Sequence, residues 1–166
     1  IRLLMCAFVM GIPEHKVRIV SPDVGGGFGS KIPHYAEEVI VTWASRRICR
    51  PVKWTATRSE SFLSDTHGRD HATKAEMGFD KDGKITAADA YLAYESGAYP
   101  GSMVGAGGTC VFAPYEIENM RVDGYDVVVN KSKVAAYRAP AAPNAAFAAE
   151  TVVDELCEKL GMDPIE

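Results

Sequence analysis

No two of the four cysteines, Cys6, Cys49, Cys110 and Cys157, stand close enough to form a Cys-x-x-Cys pair. This excludes the common structural zinc sites and iron–sulfur ligand sets from the 166 residues. It leaves isolated thiols of the kind a reducing, cytoplasmic compartment maintains. Long apolar runs are missing as well. The stretch from Leu3 to Met10 falls short of the ~20 residues a membrane-spanning helix needs, and it stops at Gly11, ahead of Ile12-Pro13. Positive charge is not in excess either, because 18 Lys and Arg against 22 Asp and Glu give a net charge of -4. Nucleic acid and acidic membrane surfaces are therefore poor partners, and small molecules or protein subunits are expected instead.

With 47% hydrophobic residues the chain can build the core of one lobe. It begins at Ile1 inside an apolar helical pattern and ends at Asp163-Pro-Ile-Glu166, just past a helix stop. Residues 1–166 thus read as a single lobe cut from a larger polypeptide.

The most informative feature present is Asp23-Val-Gly-Gly-Gly-Phe-Gly-Ser-Lys31, following the strand-like Lys16-Val-Arg-Ile-Val-Ser21. Four glycines around one phenylalanine strip side chains from a corner, so that backbone amides can approach a bulky ligand while one ring is displayed. Two nucleotide readings fail residue by residue. The dinucleotide fingerprint wants a glycine where Ser30 stands, and the phosphate-binding P-loop wants Gly-Lys-Ser/Thr where the chain has Ser30-Lys31-Ile32.

Around the loop, the pattern predicts a helix over 1–10 ending at Gly11 and a strand over 16–21. A helix after Pro33 follows, with Ala36, Val39, Ile40, Trp43 and Ala44 on one face, Glu37 and Glu38 in its first turn and Arg46 and Arg47 in its last. Its N-terminus is expected to put the loop amides in reach of an anionic or electron-rich ligand. Pro51 to Thr55 reads as a short strand and Ser59 to Ser64 as a turn or single helical turn. Alternation from His71 to Phe79, a turn at Asp80-Lys-Asp-Gly83 and a return over Lys84 to Tyr94 predict a hairpin. The two turn aspartates lack the remaining ligands of a calcium loop. The glycine-rich stretch Ser96 to Phe112 reads as an irregular loop, Met120 to Val129 as a strand, and Asn144 to Leu160 as a helix stopped by Gly161. His67 and His71 are four apart, but Gly68 interrupts the helix that metal-ligand spacing requires, so they read as local structure.

A second feature lies before the last helix, in Ala135-Ala-Tyr-Arg-Ala-Pro-Ala-Ala-Pro-Asn144. An arginine in a turn of small residues has few neighbours to pair with, and its guanidinium can point into a cleft as an anion or carbonyl clamp.

Taken in order, Pro22 to Lys31, Arg50-Pro-Val-Lys-Trp54, Arg58-Ser-Glu60, Asp80-Lys-Asp-Gly-Lys84, Gly97-Ala-Tyr99, Ala136-Tyr-Arg-Ala-Pro140 and Leu160-Gly-Met-Asp-Pro164 resemble one family over nearly the whole chain. It is the molybdenum-binding large subunit of the xanthine dehydrogenase, aldehyde oxidase and carbon monoxide dehydrogenase family, the molybdenum hydroxylases. The resemblance implies an α+β fold, a mixed sheet with packed helices, forming part of the first molybdenum-binding domain. It implies a molybdopterin cofactor carrying molybdenum, usually the cytosine dinucleotide form in bacteria, with FAD and 2Fe-2S groups on partner subunits or domains. Gly26, Gly27, Phe28 and Gly29 would face the cofactor, and Arg138 would approach from the metal's other side. Ile32, Lys74, Ala139 and Pro140 would line the substrate pocket, and no residue of the chain would ligate the metal directly. The activity implied is oxidative hydroxylation of an aldehyde or N-heterocycle with oxygen from water, in a cytoplasmic enzyme.

Several departures narrow that implication. Copper-containing carbon monoxide dehydrogenases have a cysteine directly after this arginine, where the chain has Ala139. Purine-oxidising members have a glutamate after the loop lysine, where the chain has Ile32, and an arginine where it has Lys74. The family's general base is a glutamate in a Gly-Glu motif near the C-terminus of the large subunit, and a glutamine contacts the oxo ligand of the metal. The chain has no Gly-Glu pair and no glutamine, so the base is expected beyond Glu166 and the chain alone is expected to be inactive. A carbon monoxide dehydrogenase-like large chain without the copper ligand, or a noncatalytic cofactor-binding relative, are the alternative readings.

Overall fold

The computed structural model describes residues 9–165, which fall into two compact units divided between Ser64 and Asp65. The predicted helix over 1–10 lies, except for Val9 and Met10, outside the described residues.

In the first unit a single 3-10 turn, Glu14–Lys16, leads into extended chain and then the glycine loop. Helix α1 (Ala36–Ile48) follows with the predicted acidic first turn and basic last turn, and α2 (Arg58–Ser64) ends the unit. The expected strands over 16–21 and 51–55 do not form ladders. Val17 does enter extended backbone at φ -121°, ψ 128°, but a strand exists only through a neighbour that takes up its backbone groups, and no described strand lies beside either segment. Among the described residues of this unit there is no strand for the apolar face of α1 to pack on, and Ile40 and Trp43 are each 57% exposed.

The second unit holds the sheet. Strands β1 (His71–Phe79), β2 (Ile85–Gly97) and β3 (Asn119–Val128) lie in the order β1-β2-β3, with β2 antiparallel to β1 and parallel to β3. The alternation read in the sequence is the one observed: Ala75 and Met77 turn inward while Lys74 and Glu76 stay exposed. The Asp80 carboxylate accepts the Asp82 and Lys84 amides at 2.9 Å each, so this side chain shapes the hairpin turn.

A parallel pair needs a crossover, and here it contains a helix, α3 (Val104–Cys110), where the sequence predicts an irregular loop. Glycine content misleads in this stretch because the glycines serve packing. A Cβ on Gly107 would lie 2.7 Å from the Tyr94 ring, so the bare backbone lets α3 settle directly on β2. Helix α4 (Ala142–Leu160) covers the same face and brings Ala145 and Ala149, one turn apart and fully buried, against Ala88, Ala90, Val111 and Phe112. Tyr115 donates to Glu150 at 2.8 Å and ties α4 to the crossover; burial first, then the carboxylate, pushes the phenol up to about 12. The helix stops where Gly161 takes φ 69°. The result is the expected α+β arrangement, a mixed sheet with helices packed on it. No helix among the described residues is long and apolar enough to cross a membrane.

Lys131 fastens one end of the sheet, donating at 2.7 Å to both Asp70, before β1, and Glu95, in β2. These bonds push the ammonium up to about 12, and the bond from Lys131 is the main cause holding the Asp70 carboxyl below 3.8. A depressed carboxyl adds stability that is present above its unfolded value and lost as pH falls through its native one. Lys131→Met is therefore expected to lower the melting temperature modestly at neutral pH. In a pH series of melting curves, the gap to the wild type should close on acidification below 3.8; a gap independent of pH would show that packing, not charge, is lost.

Candidate functional site

The glycine loop folds around its own lysine. Lys31 Nζ donates to the carbonyls of Val24 at 2.5 Å and Gly26 at 2.7 Å, drawing two acceptors inward onto one ammonium. Gly25, Gly26, Phe28 and Gly29 all have positive φ, at 65°, 105°, 51° and 102°. Positive φ is freely open to glycine, and backbone that alternates between right- and left-handed residues is what builds anion-cradling nests. Phe28 is not a glycine, and its φ is costly by roughly 1–2 kcal/mol; it stands with its ring 60% exposed. A Cβ on Gly26 would meet that ring at 2.7 Å, whereas a Cβ on Gly27 would meet nothing closer than Lys31 Cβ at 3.9 Å. Ile32 is exposed beside the loop, and its amide donates to Gly29 at 3.1 Å.

The entry to α1 is less open than the sequence suggests. Glu38 accepts the Tyr35 amide at 3.3 Å, and the Tyr35 hydroxyl donates to Ser30 O. The helix thus supplies its own N-terminal carboxylate, and any ligand must be met by the loop backbone.

In the second unit the Tyr137–Arg138 turn is clamped by the segment just before β1. His67 forms a parallel bridge with Val134, its amide donating to Lys133 O at 3.1 Å and its carbonyl accepting from Ala135 at 2.8 Å. Arg69 Nη2 donates to the Arg138 carbonyl, and its guanidinium lies 4.8 Å from the centre of the Tyr137 ring. Gly68 has no Cβ to strike Tyr137, which would lie 2.4 Å away. Ala139 and Ala141 have φ of 52° and 66°, with Pro140 between them, so the turn is held in a conformation that alanine seldom adopts. Arg138 is exposed, and its guanidinium meets no carboxylate among the described residues of its unit. Lys74 sits elsewhere, on the outer face of β1, paired with Glu76 at 2.5 Å beside Tyr91 and Asp123.

Gly26, Gly27, Phe28, Gly29 and Ile32 thus lie in the loop of the first unit, and Arg138, Ala139 and Pro140 in the turn of the second. The clamp of Gly68, Arg69 and Tyr137 is not foreseen, since its bond joins residues 69 apart in sequence. Nor is the stack of His71 on Tyr94, with ring centres 3.7 Å apart and planes 8° from parallel. Burial is the main cause lowering the His71 pKa below 6.5; Arg69 adds to it, while Asp70 and Asn144 oppose it.

The profile of the family described as the molybdopterin cofactor-binding domain matches residues 2–166. The chain is 33% identical to the 6-hydroxypseudooxynicotine dehydrogenase complex subunit gamma of Paenarthrobacter nicotinovorans, over 96% of the chain and 21% of that protein. It is 32% identical to the carbon monoxide dehydrogenase large chain of Afipia carboxidovorans, over 95% of the chain and 20% of that protein. Among solved structures, quinoline 2-oxidoreductase from Pseudomonas putida 86 superposes with a TM-score of 0.91 at 32% identity, over 98% of the chain and 21% of that structure. The chain spans about a fifth of the length of the curated relatives it matches.

Proposed function

Because the chain belongs to the molybdopterin cofactor-binding domain family, that of the xanthine dehydrogenase, aldehyde oxidase and carbon monoxide dehydrogenase large subunits, we propose that it supplies two cofactor-flanking elements of such a subunit. Residues 1–166 act in this reading as a lobe of the first molybdenum-binding domain. The whole protein hydroxylates an aldehyde or N-heterocycle and passes electrons to iron–sulfur and FAD partners, working in the cytoplasm.

The observation that carries this reading is the glycine cradle. Its lysine is spent on its own carbonyls, four of its residues hold positive φ, and Gly27 meets nothing among the described residues that requires a glycine. Such a surface suits a bulky, electron-rich ligand approached by backbone, which fits a molybdopterin, with the cytosine dinucleotide form proposed. When bound, that group supplies the redox chemistry, with water as the source of the oxygen inserted into the carbon–hydrogen bond and two electrons and two protons released.

The chain's own contribution is binding and orientation. Gly26, Gly27 and Gly29 bring amides to the cofactor and Phe28 lays an aromatic wall beside it. Arg138, exposed on a turn whose backbone is clamped by Arg69, offers a positive charge to an oxygen of cofactor or substrate. Ile32, Ala139 and Pro140 present only apolar surface, which favours neutral, largely apolar substrates over purines. The place of Lys74 in a substrate pocket rests on the resemblance alone. The methyl group of Ala139 cannot ligate copper, so a carbon monoxide dehydrogenase-like relative would have to work without that metal.

With neither a Gly-Glu pair nor a glutamine, the chain lacks the family's base. Expressed alone and assayed with aldehydes and an artificial electron acceptor, it is expected to show no turnover and no stoichiometric molybdenum. Robust turnover would overturn the division of labour proposed here.

A further inference from the structure

The poorly bonded polar atoms of the second unit are not scattered. Among the described residues, Arg69 Nε, His71 Nδ1, Thr73 Oγ1, Asn144 Oδ1 and the Tyr94 hydroxyl are buried without a well-formed hydrogen bond. His71 faces Asn144 and Tyr94 faces Thr73 closely enough to interact, while Arg69 Nε has no such neighbour, and His71 is stacked on the Tyr94 ring. A buried polar group left unmatched costs about 1–3 kcal/mol, so a cluster of them in one wall calls for a physical reason. All but the Tyr94 hydroxyl belong to residues lining one cleft of 430 Å³ between β1 and the first turn of α4, a volume within the small-molecule range of about 300–1,000 Å³.

The chemistry of the lining has one sign. Arg69 is its only permanent charge, no carboxylate lines it, and Asn144 offers an amide. Helix α4 starts there without a side-chain cap, which leaves early amides such as that of Asn144 without an intrahelical acceptor. Asp70, the nearest acid to His71, is held by Lys131 at 2.7 Å and turned to another duty. Phe147 and Ala148 close the cleft with apolar surface, Phe147 being 77% exposed. We propose that this cleft is a binding site for a small organic acid, its oxyanion received by Arg69, His71 and Asn144 and its apolar body laid on Phe147. The site is distinct in its residues from the glycine loop and from Arg138.

An arriving oxyanion gives the orphaned Arg69 Nε an acceptor after a small side-chain rotation. It also favours a proton on His71, which in turn can donate to Asn144. Facing that imidazole are Arg69 and Asp70 beside it, Asn144 from α4 and the Tyr94 ring from β2. Burial is the main obstacle to that proton and the Arg69 charge adds to it; the ligand's negative charge acts against both. Binding should therefore take up a proton, with affinity falling as pH rises through the His71 pKa, by at most about tenfold per unit.

The test uses the full-length subunit and 4-bromobenzoate as probe. The expected result is a bromine anomalous peak in the cleft beside Phe147 and calorimetric binding several-fold tighter at pH 6 than at pH 8. His71→Phe, which keeps a ring stacked on Tyr94, and Asn144→Leu should each weaken binding at least tenfold with melting temperatures near that of the wild type. Inorganic phosphate, which lacks an apolar body, should bind in the same cleft but more weakly. A cleft filled by a side chain from elsewhere in the subunit, a bromine peak at another place, or binding indifferent to pH and to both substitutions would overturn the proposal.

Discussion

Gly97→Ala is expected to destabilise the second unit by about 3 kcal/mol or more, with a fall in melting temperature of about 10 °C or more. Gly97 ends β2, is buried and has φ 75°. An alanine there takes a left-handed conformation, itself costly by about 1–2 kcal/mol. The larger part is collision: the added Cβ would lie 2.2 Å from Ser132 O, 2.8 Å from Ser132 C and 2.9 Å from Lys133 Cα. Those atoms are backbone, and they are pinned on both sides. Ala98 donates to Lys131 O, Val129 to Gly97 O and Val134 to Ser96 O, each at 3.0 Å. Relief would have to break the crossing that carries the chain from β3 to the Tyr137–Arg138 turn. Gly101→Ala provides the comparison, because φ is again positive, at 100°, but only Lys133 Nζ lies near, at 3.8 Å, an ordinary contact. It should lose only the conformational part. Denaturant melts of the two variants decide the matter, and equal losses would show that strain rather than collision governs Gly97.

What the sequence reveals and hides follows from the range of the forces involved. Elements set by local periodicity are legible: the alternation of Ala75 and Met77 with Lys74 and Glu76 specifies β1, and the charges at both ends of α1 specify that helix. Elements that depend on a distant partner are not. The segment from Val17 to Ser21 has strand-like composition, but a ladder needs a neighbour, and composition cannot say whether one is at hand. The glycines of α3 mislead in the opposite sense, because they are present for the Tyr94 ring on another element. At the site the same division holds. The glycine loop announces itself because its backbone requirements are local, as Lys31 closing on Val24 and Gly26 shows. Arg69 carries no such mark: it reaches Arg138 across 69 residues, and only the fold brings the two together.

Gly27→Ala should separate what the loop needs for itself from what it needs for a ligand, and here the largest functional effect is expected. Gly26 and Gly29 are glycines for local reasons, positive φ in both and, for Gly26, a Phe28 ring 2.7 Å from where a Cβ would stand. Gly27 is different: its φ is not in the left-handed region, and an added Cβ would have Lys31 Cβ at 3.9 Å as its nearest neighbour, an ordinary contact. Nothing among the described residues forbids alanine there. By restricting the unfolded chain the substitution should even stabilise the protein by about 0.4–1 kcal/mol. If Gly27 is bare so that a cofactor can lie against the backbone, the methyl group intrudes only when the cofactor is present. In the full-length subunit, Gly27→Ala is therefore expected to keep or raise the melting temperature of the cofactor-free protein while molybdenum content falls at least tenfold. Gly26→Ala should differ in kind, displacing the Phe28 ring and perturbing the loop whether or not cofactor is supplied. Molybdenum analysis beside thermal melts of both forms reads the two effects separately. Full molybdenum occupancy in Gly27→Ala would mean that the bare backbone faces solvent and not the cofactor, and the cradle would lose its proposed occupant.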